Sequence, residues 1–244
     1  MKIKITACTV IFIIFFMPFA SEAAAKRDSF RTITDMTGRK VEIPVSLSRV
    51  ALFGGPTGQI AYILGARKQL CAVTVAIRGS DLILAFDPSI RELPAPRSTS
   101  GHVNIEELLA ANPQLVIAGT FDGTIVEKKT NIPVAYTESN MDHGIDLLKR
   151  EIRFYADVFQ KQSRADKYID YLDKTISFIK SRTKDIPRSK RKVIFNGYGP
   201  NHLVTLGGDT FMHERIETAG CVEAASTINS TGIQEGLHSG LIEI

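Results

Sequence analysis

The chain has 244 residues, 44% hydrophobic and 23% charged, and 30 Lys+Arg against 26 Asp+Glu leave a formal net charge of +4. That slight excess, with no Lys/Arg cluster interleaved with aromatics, excludes nucleic acid as a partner suggested by charge, and "RSKRK" (188–192) reads as a solvated linker. The three cysteines show no CxxC or Cys/His spacing, so no metal site is written in them.

Residues 1–25 read as a secretory signal. "MKIK" supplies the positive start through Lys2 and Lys4, "ITACTVIFIIFFM" is a short apolar core, and "PFASEAAA" puts Ala23 and Ala25 at the small-residue positions of a cleavage site. The apolar run is too short for a membrane span; a retained N-terminal anchor is the competing reading. Cys8 lies inside the apolar core and not beside the cleavage site, which argues against a lipoprotein. Cleavage removes Lys2, Lys4 and Glu22, taking the charge from +4 to +3. It leaves Cys71 and Cys221, expected as two buried free thiols, with a disulfide as the alternative.

From residue 48 short apolar runs alternate with helical patterns. "RVALFG" (49–54) reads as a buried strand, and "TGQIAYILGA" (57–66) as a helix with Ile60, Ile63 and Leu64 on one face and Gly65 as its stop. "LCAVTVA" (70–76) is a strand, "NIEELLAAN" (104–112) a helix, "QLVIAG" (114–119) a strand, "VEKKT" (126–130) part of a short helix and "PVAYT" (133–137) a strand. Short strands alternating with helices imply βαβ units and a mostly parallel sheet.

Residues 142–183 are helical almost throughout, with Ile145, Leu148, Ile152, Tyr155 and Phe159 recurring at three and four residues. Ser163 followed by Asp166 has capping-box spacing and predicts a new helix start, after which the stripe resumes at Ala165, Ile169, Leu172, Ile176 and Ile179. Beyond Pro187 a second series follows: strands at "KVIFNG" (192–197) and "LVTL" (203–206), then a helix at "DTFMHERIETAG" (209–220). The expected fold is α/β, two Rossmann-like lobes with mostly parallel sheets joined by a long interlobe helix. The first lobe spans 31–141, the helical connector 142–185 and a partial second lobe 186–244. A lobe built like the first needs roughly 50 further residues, from the usual size of βαβ units, so the C-terminal lobe is expected to be incomplete.

Four segments together suggest a family. "RTITDMTGRKVEIPVSLSRVAL" (31–52), "GHVNIEELLAANPQLVIAG" (101–119), "ADVFQKQSRADKYIDYLDKTI" (156–176) and "LGGDTFMHERIETAGCVEAA" (206–225) resemble, in order, segments of the periplasmic binding proteins for iron complexes, haem and cobalamin. Gln114 departs from that pattern, which usually has Asp, as does Cys221, where Gly is common. The resemblance implies a monomeric periplasmic protein that closes over its ligand and delivers it to the permease subunits of an ABC importer, whose cytoplasmic ATPase powers uptake. It implies no cofactor of the protein's own, the transported ligand being an iron chelate such as a ferric siderophore, haem or cobalamin.

In a two-lobed α/β protein the loops at the carboxyl ends of the strands face the ligand crevice. "GGPTGQ" (54–59) contributes Pro56, Thr57 and Gln59, at a helix start whose free N–H groups favour an anion. "IRGSD" (77–81) contributes Arg78 for an acidic ligand, "STSGHV" (98–103) His102, and "TFDG" (120–123) Phe121. From the second lobe "GYGPNH" (197–202) contributes Tyr198, to stack on a flat ligand or ligate iron, with Asn201 and His202. Walker lysine, GxGxxG, GxSxG and HExxH are all absent, so an enzyme is not expected. One alternative is a free-metal binder for zinc or manganese, using His102 and His202 with Asp122 as a third ligand. Another is a non-functional fragment exposing sheet edge and apolar surface.

Two acids remain. Asn104 is an N-cap and Glu107 stands three residues on, a capping-box spacing, with Ile105, Leu108 and Leu109 facing the sheet and Pro113 ending the helix. Glu106 lies off that face in the first turn, favoured there by the helix dipole. The family resemblance gives an acid in this place a role as a docking handle for arginines of the permease.

Overall fold

The computed structural model describes residues 29–54, 57–137, 144–198, 204–208, 210–228 and 241–243, so the expected signal at 1–25 lies outside the described residues. The first elements are a hairpin of β1 (Phe30–Thr34) and β2 (Lys40–Pro44), antiparallel with Ile33 opposite Val41. Ile33, Val41 and Ile43 are buried at alternate positions, the period of a strand with one face inward. In the turn, Asp35 is buried and its Oδ1 accepts from Thr37 N–H and Arg39 N–H, while Oδ2 accepts from Tyr136 N–H at 3.1 Å. Gly38, at φ +86°, supplies the left-handed residue that this turn needs. The "DMTGR" segment therefore fastens the hairpin to the far edge of the main sheet.

That sheet comprises β3 (Val50–Phe53), β4 (Leu70–Ala72), β5 (Leu115–Gly119) and β6 (Val134–Thr137), all parallel, in the order β4-β3-β5-β6. Its strands are near-continuous apolar runs because both faces are covered. Val50, Leu52, Leu115 and Ile117 point to one core, and Ala51, Phe53, Val116 and Ala118 to the other, the alternation a pleated strand imposes.

Five helices connect and cover these strands: α1 (Thr57–Ile63), α2 (Val75–Arg78), α3 (Asp81–Phe86), α4 (Ile105–Ala110) and α5 (Thr120–Lys129). The strand expected over 70–76 stops at Ala72, because Thr74 Oγ1 accepts Ile77 N–H at 3.1 Å and starts α2. The "TFDG" segment, expected as a loop, is the first turn of α5. In α4, Leu108 is buried and Ile105 half-buried, but Leu109 is 52% exposed, so the apolar face is narrower than the sequence suggested. Gln114 ties the start of β3 to the start of β5: its Oε1 accepts Ser48 N–H at 2.8 Å and Arg49 N–H at 3.1 Å.

The connector is two helices, α6 (Gly144–Phe159) and α7 (Gln162–Thr183). The break comes at Gln160, whose φ is +55°, and the helix restarts at Gln162, so Ser163 lies inside the first turn and caps nothing. Ile152, Phe154, Tyr155, Val158 and Phe159 of α6 are buried in the first core, whereas α7 buries only Ala165 and Ile169. The second lobe contains β7 (Val193–Ile194), β8 (Gly197–Tyr198), β9 (Val204–Leu206), α8 (Phe211–Thr218), β10 (Val222–Glu223) and β11 (Leu241–Glu243). The single strand expected over 192–197 is thus two short ones. β7 pairs with β10 in parallel, while β8, β9 and β11 form an antiparallel sheet in the order β11-β9-β8. Val193 is 68% exposed and Phe195 half-exposed. Cys71 and Cys221 are both free, Cys71 buried and Cys221 only half-buried, short of the full burial expected of it.

Candidate functional site

In an open parallel α/β sheet the carboxyl edge of the strands is the candidate ligand position. The N-termini of α1, α2 and α5 follow the carboxyl ends of β3, β4 and β5, so all three helices open onto one edge. At the centre of that edge, Arg97 Nε donates to Asp122 Oδ2 at 2.9 Å. Arg97 is placed by a bridge to Thr74 on one side and to Val103 on the other. Asp122 is buried in the first turn of α5. Burial pushes its carboxyl above the usual carboxylate range and the Arg97 guanidinium works against that shift. Its Oδ1 is buried with no hydrogen-bond partner among the described residues.

Between Arg97 and Val103 the chain makes a hydroxyl-rich turn. Ser98 N–H donates to His102 O at 2.9 Å, His102 N–H donates to Ser98 Oγ at 3.0 Å, and the Ser98 and Ser100 hydroxyls lie 2.9 Å apart. Gly101, at φ +88°, closes the turn. His102 is exposed at this rim. Phe121, on the first turn of α5, is 73% exposed. Gly119, the N-cap of α5, has no side chain to occupy the first-turn N–H groups.

Of the other expected site residues, Thr57 opens α1 and Gln59 is half-buried on it, with its Oε1 buried and unpartnered among the described residues. Gly58 is required there: a Cβ would meet the Ile77 side chain at 2.9 Å. Arg78 ends α2, half-buried, with no ion pair among the described residues. Tyr198 ends β8 in the second lobe, and Pro56, Asn201 and His202 lie outside the described residues. The structure therefore brings His102 and Phe121 to one edge with the start of α1. It engages Asp122 with Arg97 through Oδ2, while His202, the other residue of the zinc or manganese alternative, lies outside the described residues. Among the described residues no group of three His, Cys, Asp or Glu side chains is placed to hold a metal.

The sequence reading missed Arg97. It stands between "PAP" and "STS" with no periodicity to mark it, and only the bridges to Thr74 and Val103 bring it to the crevice edge. Glu107 keeps half of its expected role. Asn104 Oδ1 accepts Glu107 N–H at 3.1 Å, but the Glu107 carboxylate turns away from Asn104 and accepts Ala95 N–H at 2.9 Å. Glu106 is exposed on the first turn of α4, on the same rim.

The family model described as "Periplasmic binding protein" matches residues 49–239. The molybdate-binding protein MolA of Haemophilus influenzae is 27% identical, over 81% of this chain and 62% of its own length. The solved structure of molybdate-bound MolA matches with a TM-score of 0.70 at 25% identity, covering 88% of this chain and 69% of that one. A periplasmic solute-binding protein from Veillonella parvula matches at 0.68 and 18% identity, covering 83% and 62% of the two chains. The heme-binding protein HmuT matches at 0.62 and 19%, covering 88% and 66%. The last two likenesses speak to the fold alone.

Proposed function

Because the chain belongs to the periplasmic binding protein family, we propose that it is the solute-binding component of an ABC importer. It captures a metal-bearing anion at the carboxyl edge of the parallel sheet and delivers it to a membrane permease driven by a cytoplasmic ATPase. Export to the periplasm through residues 1–25 belongs to the same proposal. N-terminal sequencing of the exported protein should then start at Lys26.

The Arg97–Asp122 pair beside the uncapped start of α5 supports the ligand class. Free N–H groups at a helix N-terminus favour anions through both hydrogen bonding and the dipole. An adjacent guanidinium and the hydroxyls of Ser98, Ser100 and Thr120 are donors of the kind a tetrahedral oxyanion takes. Asp122 holds Arg97 and cancels part of its charge, which suits a ligand that must also be released. MolA, 27% identical, is named for binding molybdate, an oxyanion of this geometry. Molybdate or tungstate is therefore the first ligand of this proposal.

An iron chelate, haem or a corrinoid is the second reading. The exposed Phe121 ring favours it, since a flat ligand can stack there with Arg78 as an anion partner. Titration calorimetry of the mature protein with molybdate, tungstate, sulfate and ferric citrate, and absorbance titration with hemin, separate the two. Saturable molybdate and tungstate binding supports the first. A stoichiometric hemin or ferric-chelate complex with no oxyanion binding replaces it with the second.

A further inference from the structure

We propose that a trough between the end of α1 and the first half of α7 is a docking site for an acidic protein segment carrying an apolar side chain. The trough, of about 390 Å³, is lined by Ile63, Arg164, Lys167, Tyr168 and Tyr171. Two cations line it and no carboxylate does. Other basic residues on the neighbouring elements are paired, Arg67 with Asp87, Lys149 with Asp173 and Lys174 with Asp170. Among the described residues the side chains of Arg164 and Lys167 have no counter-ion, and the Tyr168 and Tyr171 hydroxyls have no hydrogen-bond partner.

The arrangement is set by the backbone. Gly65 has φ +68° and no side chain, and a Cβ there would lie 2.6 Å from Arg164 Nη1. A glycine at this place lets the guanidinium rest against the helix end at one end of the trough. The Tyr168 and Tyr171 rings lie 6.1 Å apart, and Tyr171 is 62% exposed. Guanidinium and ammonium groups beside aromatic rings suit carboxylates that flank an apolar side chain. Ile63 is the last residue of α1 and Gly65 follows it, at the sheet edge opposite the crevice. A partner seated here leaves the ligand edge open.

A protein segment is favoured over an anionic bilayer because exposed Asp166 and Asp170 neighbour Lys167 and Tyr171 along α7. A flat anionic surface would meet those acids; a single protruding segment reaches between them.

The test uses the whole mature chain and a fluorescein-labelled peptide, Asp-Glu-Leu-Phe-Glu-Asp, followed by fluorescence polarisation. Saturable binding is expected, weakened about tenfold or more by Arg164→Glu with Lys167→Glu, and weakened by Tyr171→Ser. A peptide with Ser-Gly in place of Leu-Phe should bind less. Arg97→Ala should leave peptide binding unchanged, which separates this site from the crevice. No saturable binding, or equal binding by the charge-reversed protein with an unchanged melting temperature, overturns the proposal. So does co-sedimentation with phosphatidylcholine–phosphatidylglycerol vesicles without peptide binding, which would assign the face to a membrane.

Discussion

Glu214 of α8 accepts the backbone N–H of Ile145 at 2.8 Å, so a carboxylate of the second lobe caps the helix that is built into the core of the first. A carboxylate at a helix N-terminus satisfies an orphan donor and complements the dipole. Here it also links the two lobes. Gly144 belongs to the same contact, since a Cβ there would fall inside the Glu214 carboxylate. Further contacts hold α8 to the connector and linker, Thr183 Oγ1 to Thr218 O at 3.0 Å and Arg191 to Glu217 at 3.0 Å.

Glu214→Ala should lower stability by about 1 kcal/mol, the usual value of a lost N-cap, and broaden the interlobe distance distribution between spin labels on α5 and α8. Glu214→Gln keeps an acceptor and should retain most of the effect. Gly144→Ala should separate the same labels. Unchanged distances in both Glu214→Ala and Gly144→Ala would show that the cap does not set the lobe arrangement.

Arg97→Ala removes the partner of a buried carboxylate. Leaving Asp122 buried and unpaired should cost about 2 kcal/mol at neutral pH, below the value for a fully buried pair because Arg97 is partly exposed. Burial already raises the Asp122 pKa, and losing Arg97 raises it further. An acid whose folded pKa exceeds its unfolded value costs stability as pH rises through the folded value. The deficit of Arg97→Ala should therefore shrink at acidic pH. Thermal melts across a pH series check this; a deficit independent of pH would mean that the pair carries no charge coupling.

Glu151, buried on α6, has its carboxyl pushed up to about 7 by burial. The folded state holds this proton more tightly than the unfolded chain, whose carboxyl titrates near the ordinary glutamate value. Stability from this group is complete below the unfolded value and is lost as pH rises through about 7. Glu151→Gln should flatten that fall and stabilise the protein at alkaline pH by up to about 3 kcal/mol. Denaturant melts of both proteins at acidic and alkaline pH measure it, and parallel pH profiles would contradict it.

Glu106 is exposed and makes no side-chain hydrogen bond or ion pair among the described residues, and it stands on the rim beside the crevice. Glu106→Ala should bind ligand as the parent does while slowing uptake, with a loss that shrinks as salt screens the parent's own steering. Full uptake by the variant at low salt would remove the docking role.

Much of this was legible in the chain. β3 and β5 were visible as apolar runs because parallel strands buried on both faces leave no polar alternation. The order of strands and helices, and so the position of the sheet's carboxyl edge, followed from it. The start of α2 was hidden because Thr74 belongs equally to a β-branched run and to an N-cap. The break after α6 was legible in the capping-box spacing of Ser163 and Asp166, but the restart was placed late, at Ser163 where the helix resumes at Gln162, because Gln160 takes a left-handed conformation that its residue type does not announce. Arg97 was hidden for another reason: its role comes from pairing with Asp122, 25 residues away, and no local pattern records such a contact.

Crystals soaked in sodium tungstate and measured at the tungsten edge test the central claim most directly. The account predicts one anomalous peak at the carboxyl edge of the parallel sheet, between the Arg97 guanidinium and the first turn of α5, and its loss in Arg97→Ala. A peak placed elsewhere, or none in crystals of a protein that binds a ferric chelate in solution, would contradict it.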